Sequence, residues 1–211
     1  MSLSPDQITD LFRRADGQYA FARWGRPLAP VVFGVTDDTL TIVKQAVVTV
    51  AGLANHEMTE VDQDLGANLM IFFVADWAEL ADTPHLVKLV PDIVPLTARL
   101  IEADANQYRI FRFDDAGAIM ACMVFLRIDG HLAEVPADAL ALSQMVQAIT
   151  CWSDSAFRTT LPVDYIDGVL QVDPDIAALI RAAYDPVLPV ASQDEAHALR
   201  LFARVQVLAN A

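Results

Sequence analysis

The chain has 211 residues, 55 % of them hydrophobic, with 8 Gly and 11 Pro, which describes a globular protein long enough for one substantial core or two small ones. One domain over 1–211 is the simpler expectation. Lys and Arg number 14 against 28 Asp and Glu, a formal net charge of -14 that repels phosphate backbones and anionic membranes, so nucleic acid is not an expected partner. Mean hydropathy is +0.35, yet no apolar run approaches the roughly 20 residues that span a bilayer. The apolar excess points to a large core or to a surface covered by a partner.

Ser4-Pro5-Asp6-Gln7 is a capping-box arrangement that opens a helix over Pro5 to Arg14, with Ile8, Leu11 and Phe12 inward. The start lacks a charged segment followed by an apolar stretch, so no signal peptide is expected. A cytoplasmic location is favoured, and a periplasmic one stays open if a leader preceded Met1-Ser2-Leu3. After Asp16-Gly17 and the aromatic stretch Tyr19 to Trp24, the Val-rich run Ala29 to Val35 reads as a buried strand. Asp37-Asp38-Thr39 offers a cap for a helix through Leu53, whose Ile42, Val43, Ala46, Val47 and Val50 share one face. Glu57 to Asp62 alternates like an exposed strand, and Ala67 to Val74 like a central strand covered on both sides. Pro91 and Pro95 divide the segment from Thr83 to Ala105 into two short helices. Gln107 to Asp114 and Ala118 to Ile128 form a hairpin around Asp115-Ala116-Gly117. Glu134-Val135-Pro136 begins a helix with Leu142, Met145, Val146 and Ile149 inward. Ser153 to Gln171 reads as irregular, Asp173-Pro174 opens a helix running to Tyr184-Asp185-Pro186, and Ser192 with Glu195 forms a capping box for a last helix striped by Leu199, Phe202 and Val205.

Metal and nucleophile patterns are sparse. His56-Glu57-Met58-Thr59-Glu60 approaches a zinc motif, but on a strand His56 and Glu60 stand about 13 Å apart, too far for one ion. His131 and Glu134 flank a helix start and read as a solvated turn that borders a cleft at most; His85 and His197 sit in helix-start turns facing solvent. No metal or other cofactor is expected. Cys122 and Cys151 are not spaced as a metal or redox motif and read as buried free thiols. Ser143, Gln147 and Cys151 recur at helical spacing and, with Asp154, make a polar stripe. Trp24 between Arg23 and Arg26, and Tyr184-Asp185-Pro186, read as aromatic anchors.

Four segments together resemble a bacterial family, the domain of unknown function 2927, whose members look like relatives of zincin metallopeptidases. They are Arg23-Trp24 with Pro27; Ala67-Asn68 before Phe72-Phe73-Val74; Ser143 to Gln147 followed by Trp152-Ser153-Asp154-Ser155-Ala156-Phe157; and Leu179 with Ala183-Tyr184-Asp185-Pro186. The resemblance implies an α+β, zincin-like fold: a mixed sheet, a backing helix after the first strand, a helix where the metal motif would lie, and C-terminal helices. A zincin carries H-E-x-x-H there, two imidazoles gripping Zn²⁺ and a Glu deprotonating its water. The family implies Glu-Glu-x-x-Gln instead. This chain has Ser143 and Gln144 where the two Glu would stand, Gln147 matching the Gln, and Asp154 matching an acidic residue after the helix.

The candidate groove is therefore Ser143, Gln144, Gln147, Cys151 and Asp154, with no catalytic or metal-binding residue assigned. A binding or scaffolding role without zinc is expected, for a protein or small-molecule ligand. A hydrolase reusing the groove through Cys151, Asp154 or His131, and a homo-oligomeric structural protein, are the alternatives.

Overall fold

The computed structural model describes residues 3–210. Met1 and Ser2, on which the reading of the chain start rests, lie outside the described residues. Helix α1 (Pro5–Phe12) has its capping box: the Ser4 hydroxyl accepts from Gln7 N at 3.2 Å, and the Gln7 side chain accepts from Ser4 N at 2.8 Å. Strands β1 (Phe21–Ala22) and β2 (Pro30–Phe33) follow. Helix α2 (Asp37–Leu53) is capped by Thr36, one residue earlier than expected, which leaves Asp37 and Asp38 in the first turn against the positive end of the helix dipole. Next come β3 (Leu69–Val74), α3 (Ala78–Ala81), α4 (Pro84–Leu89) and α5 (Ile93–Glu102). Pro91 separates α4 from α5, whereas Pro95 sits in the first turn of α5, where no intrahelical N–H is required. The hairpin β4 (Gln107–Phe113) and β5 (Ile119–Arg127) leads to α6 (Gly130–Ala133) and α7 (Ala137–Ile149). The chain then forms β6 (Val163–Ile166), β7 (Val169–Val172), α8 (Pro174–Ala183), β8 (Ala191–Ser192) and α9 (Ala196–Ala209). No described helix is long and apolar enough to cross a membrane.

The architecture is α+β around a mixed four-stranded sheet of order β2-β3-β5-β4, in which β2, β3 and β5 run parallel and β4 runs antiparallel at one edge. Alternation along the strands divides the apolar side chains between two cores. Leu69, Ile71, Cys122, Val124 and Leu126 join the larger core with α2, α7 and α8. Phe72, Met123 and Phe125 face the other way, onto Trp77, Leu86, Ile93 and Leu96 of α3 to α5 and its approach. Both faces of β3 are thus covered, which is why its sequence is almost uninterruptedly apolar.

Three expectations are corrected. Residues 57–62 are not a strand: they make only isolated bridges, Met58 to Leu28 and Asp62 to Gly66, and the chain is turned inward because Asp62 is buried, accepting from Asn68 Nδ2 at 2.9 Å and from the backbone N–H groups of Asp64 and Leu65. His56 is directed inward as well, its Nε2 2.8 Å from Arg26 O and its ring on Tyr184. The stretch Ser153 to Gln171 is not wholly irregular, for Asp167 and Gly168, both at positive φ, make the two-residue turn of the β6–β7 hairpin. In the last helix Ser192 belongs to β8 and Glu195 is the cap residue, without a side-chain capping bond. Of the expected stripe, Phe202 and Val205 pack against the core and Leu199 is exposed, because the buried face is completed by His197, Ala198 and Leu201 instead.

Buried α7 ends where water cannot serve its last carbonyls, so other donors must. Three aromatic side chains do this. Trp152 Nε1 donates to Val146 O at 2.8 Å, Trp24 Nε1 to Ala148 O at 2.9 Å, and the Tyr184 hydroxyl to Ile149 O at 2.6 Å while accepting from Trp24 N. Tyr184→Phe keeps the ring and strands both partners; the expected cost is about 1–3 kcal/mol by urea denaturation, and an unchanged midpoint would contradict the role given to the hydroxyl.

His197 is fully buried, with its ring 4.4 Å from that of Phe21 and no hydrogen-bond partner on either nitrogen. It was expected to face solvent; the buried face of α9 places it inside. Burial, assisted by Arg200, lowers its pKa from 6.5 to about 4. The unfolded chain therefore takes up a proton that the folded state refuses, so the stability carried by the neutral ring is full above pH 6.5 and is lost as pH falls towards about 4. Denaturant midpoints should decline across that window, and less steeply in His197→Phe; parallel declines in the two proteins would exclude His197 as the source.

Candidate functional site

Ten of the 13 residues of α7 are buried, Ser143 and Gln144 among them, so these polar groups must find partners inside the protein. Gln147, one turn on from Ser143, donates from Nε2 to Ser143 Oγ at 3.0 Å. Gln144 reaches across to β4: its Nε2 donates to Gln107 Oε1 at 3.1 Å, and its Oε1 accepts from Arg109 Nη2 in a short hydrogen bond. A second bond from Arg109 Nη2 to Gln107 Oε1, at 3.3 Å, closes the cluster. Helix and edge strand are joined by amides and a guanidinium, none of them a metal ligand of the zincin kind.

Above this cluster opens a cleft of about 840 Å³. Its lining comes from β4 and Asn106 before it, from α7 through Ser143, Gln144 and Gln147, from His131 and Leu132 of α6, from the segment 152–161, and from Arg14 after α1. Trp152 stacks on Phe12 at 5.1 Å and carries Phe157 edge-on at 5.1 Å. Phe157 holds a positive φ of 62°, a conformation unusual for a bulky residue, so packing on Trp152 maintains local strain at the cleft wall.

The strand side of the cleft is an open ladder. Asn106 O accepts from Arg127 N at 2.9 Å, and hydrogen-bonded pairs alternate along an antiparallel ladder. Gln107, Arg109 and Phe111 consequently turn their N–H and C=O groups away from β5, and among the described residues no strand pairs with β4 on that side.

The cleft reverses the charge balance of the chain. Arg14, Arg109 and Arg158 line it against a single acid, Asp154, although acids outnumber Lys and Arg two to one overall. Burial lowers the pKa of Arg109 to about 10, still charged at neutral pH.

Of the residues expected to form the groove, Ser143, Gln144, Gln147 and Asp154 line the cleft and Cys151 does not. The ridge through Cys151 assumed a helix that continues, but α7 stops at Ile149 and Thr150 is extended, with φ -145° and ψ 162°. Cys151 instead lies beneath Arg14, whose Nη2 is 2.8 Å from Sγ and 3.1 Å from Cys151 O. Burial raises its thiol pKa despite that guanidinium, and raises that of Cys122 to about 12. Asp154 is exposed, and its carbonyl accepts from Arg158 Nε at 2.7 Å. Glu134 is exposed and does not line the cleft, whereas His131, at the start of α6, does. Among the described residues no three of His, Cys, Asp and Glu gather as a metal site would require.

Sequence reasoning missed Arg14, Gln107, Arg109 and Phe111. The signal available was alternation: in a strand, Gln107, Arg109 and Phe111 share a face, which sets the arginine beside an aromatic residue and an amide. Both thiols should resist a disulfide reagent at about pH 8 in the folded protein and react only on unfolding. Fast stoichiometric labelling of Cys151 would contradict its placement. Comparisons with protein-family models, curated proteins and solved structures found no match to the chain.

Proposed function

We propose that the chain is a zincin-like binding module without zinc chemistry, whose cleft takes an extended peptide segment as an added strand on β4. The carrying observation is the unpaired ladder of β4 bordering an 840 Å³ cleft. An exposed edge supplies main-chain hydrogen bonds at a fixed spacing, and the pockets beside it select side chains. In support of the zincin-like reading, α2 follows β2 as the backing helix that reading expects, and a later helix, α7, carries Ser143 to Gln147. Ser143, Gln144 and Gln147 on that helix bind one another and β4 rather than converging on a vacant point as ligands would. Water activation needs a Lewis acid or a general base whose pKa lies near the working pH, and among the described residues no three His, Cys, Asp or Glu gather to hold a metal ion. The hydrolase alternative through Cys151 draws no support from a buried thiol of raised pKa.

The test is selection from a displayed library of random linear peptides. Recovered peptides should bind the purified protein and lose binding to Gln147→Trp, which fills the cleft, and to Gln107→Pro, which removes an outward N–H together with the amide that binds Gln144 and Arg109; Gln107→Ala, which removes the amide alone, should keep more of the binding than Gln107→Pro. Peptides that bind Gln147→Trp and Gln107→Pro as well as the parent protein, or the absence of any selected binder, would overturn the proposal.

A further inference from the structure

We infer that the cleft recognises a carboxylate of its peptide ligand and that Arg109 is the residue that holds it. The inference rests on the peptide-binding reading of this cleft and specifies which peptides enter.

Arg109 forms no ion pair among the described residues; its protein partners are the neutral amides of Gln144 and Gln107, both bound through Nη2. Nε is shielded from solvent and has no acceptor. Nη1 has no protein acceptor either, and is not among the shielded atoms. A guanidinium whose burial already lowers its pKa is thus left uncompensated, with Gln144 and Gln107 fixing its plane. Charged groups removed from water are ordinarily paired. The missing partner is an anion supplied from the cleft.

The kind of anion follows from what the other cations are doing. Arg14 spends its nitrogens on the carbonyls of Trp152, Cys151 and Ala20 and on Cys151 Sγ, and Arg158 Nε is engaged by Asp154 O. Arg14 is committed to the protein, and Arg158 stands exposed at the rim, where water solvates its Nη1 and Nη2. Set into the wall, Arg109 offers Nη1, with two N–H groups and no protein acceptor, which suits a singly charged carboxylate. A doubly charged phosphate or a polyanion would meet that single nitrogen inside a protein of net charge -14, which repels it at long range. Arg109 also lies on the outward-bonding register of β4, so a strand added there brings its own side chains or its C-terminus alongside the guanidinium.

The experiment uses peptides recovered from the random library on the 211-residue chain, each synthesised in three forms: unmodified, with Asp and Glu replaced by Asn and Gln, and with the C-terminus amidated. One of the two neutralised forms should bind the parent protein about tenfold or more weakly, and which one it is identifies the carboxylate as side-chain or terminal. Arg109→Gln should lose affinity for the unmodified peptide by a similar factor and no longer distinguish the forms, Arg109→Lys should lose less, and Arg13→Gln, which removes the same charge outside the cleft, should bind as the parent does. Should Arg109→Gln fail to fold, the neutralised peptides on the parent protein decide the matter. Peptides that require the cleft but bind equally well in all three forms would overturn the carboxylate inference and leave the peptide-binding reading standing; no cleft-dependent peptide at all would overturn both.

Discussion

The end of α7 is the constraint on which the rest of this protein depends. An interior helix cannot finish without donors for its last carbonyls, and here they come from three aromatic residues far apart in the chain, Trp24, Trp152 and Tyr184. Each buries a large apolar surface and brings one polar atom to a place where a solvent molecule would otherwise be needed. Arg23 lies over the Tyr184 ring at 5.4 Å, and Asp185 beside it is paired with Arg204 of α9, so the same junction fastens the C-terminal helices. With its end held, α7 keeps Gln144 opposite β4 and the cleft keeps its width.

That junction also gives physical meaning to the segments that carry the family resemblance. Three of the four, around Trp24, Trp152 and Tyr184, meet at the end of α7. The fourth contains Asn68, whose side chain accepts from Ala29 N at 2.8 Å and donates to Pro27 O and Asp62. These residues serve the frame around the site. Such a pattern says more about architecture than about activity.

Much of the fold was legible because local chemistry announces it. Ser4 with Gln7, Asp173 with Pro174, and the alternation on either side of Gly117 specify their elements without help from distant parts of the chain. The β6–β7 hairpin was legible too, in Asp167-Gly168, but its short strands carry polar residues and read as loop. His197 was misplaced because one face of α9 offers Leu199 and another offers Ala198 and Leu201, and only the packing partners choose between them. For the site, Ser143 and Gln147 follow from helical spacing alone. Cys151 fails by two residues, since what stops α7 is tertiary. Arg109 could not be joined to Gln144, 35 positions away, before the hairpin was known to lie beside the helix.

The cap on α7 has one more consequence, for how the molecule divides. Trp24 and Ala148 are 124 positions apart, and Tyr184 lies another 35 beyond Ile149. No contiguous piece that omits either aromatic residue contains a finished α7, even if it includes every residue lining the cleft. The cleft is therefore a property of the assembled chain, and trimming at either side would erode it from a distance by leaving carbonyls of its central helix unanswered.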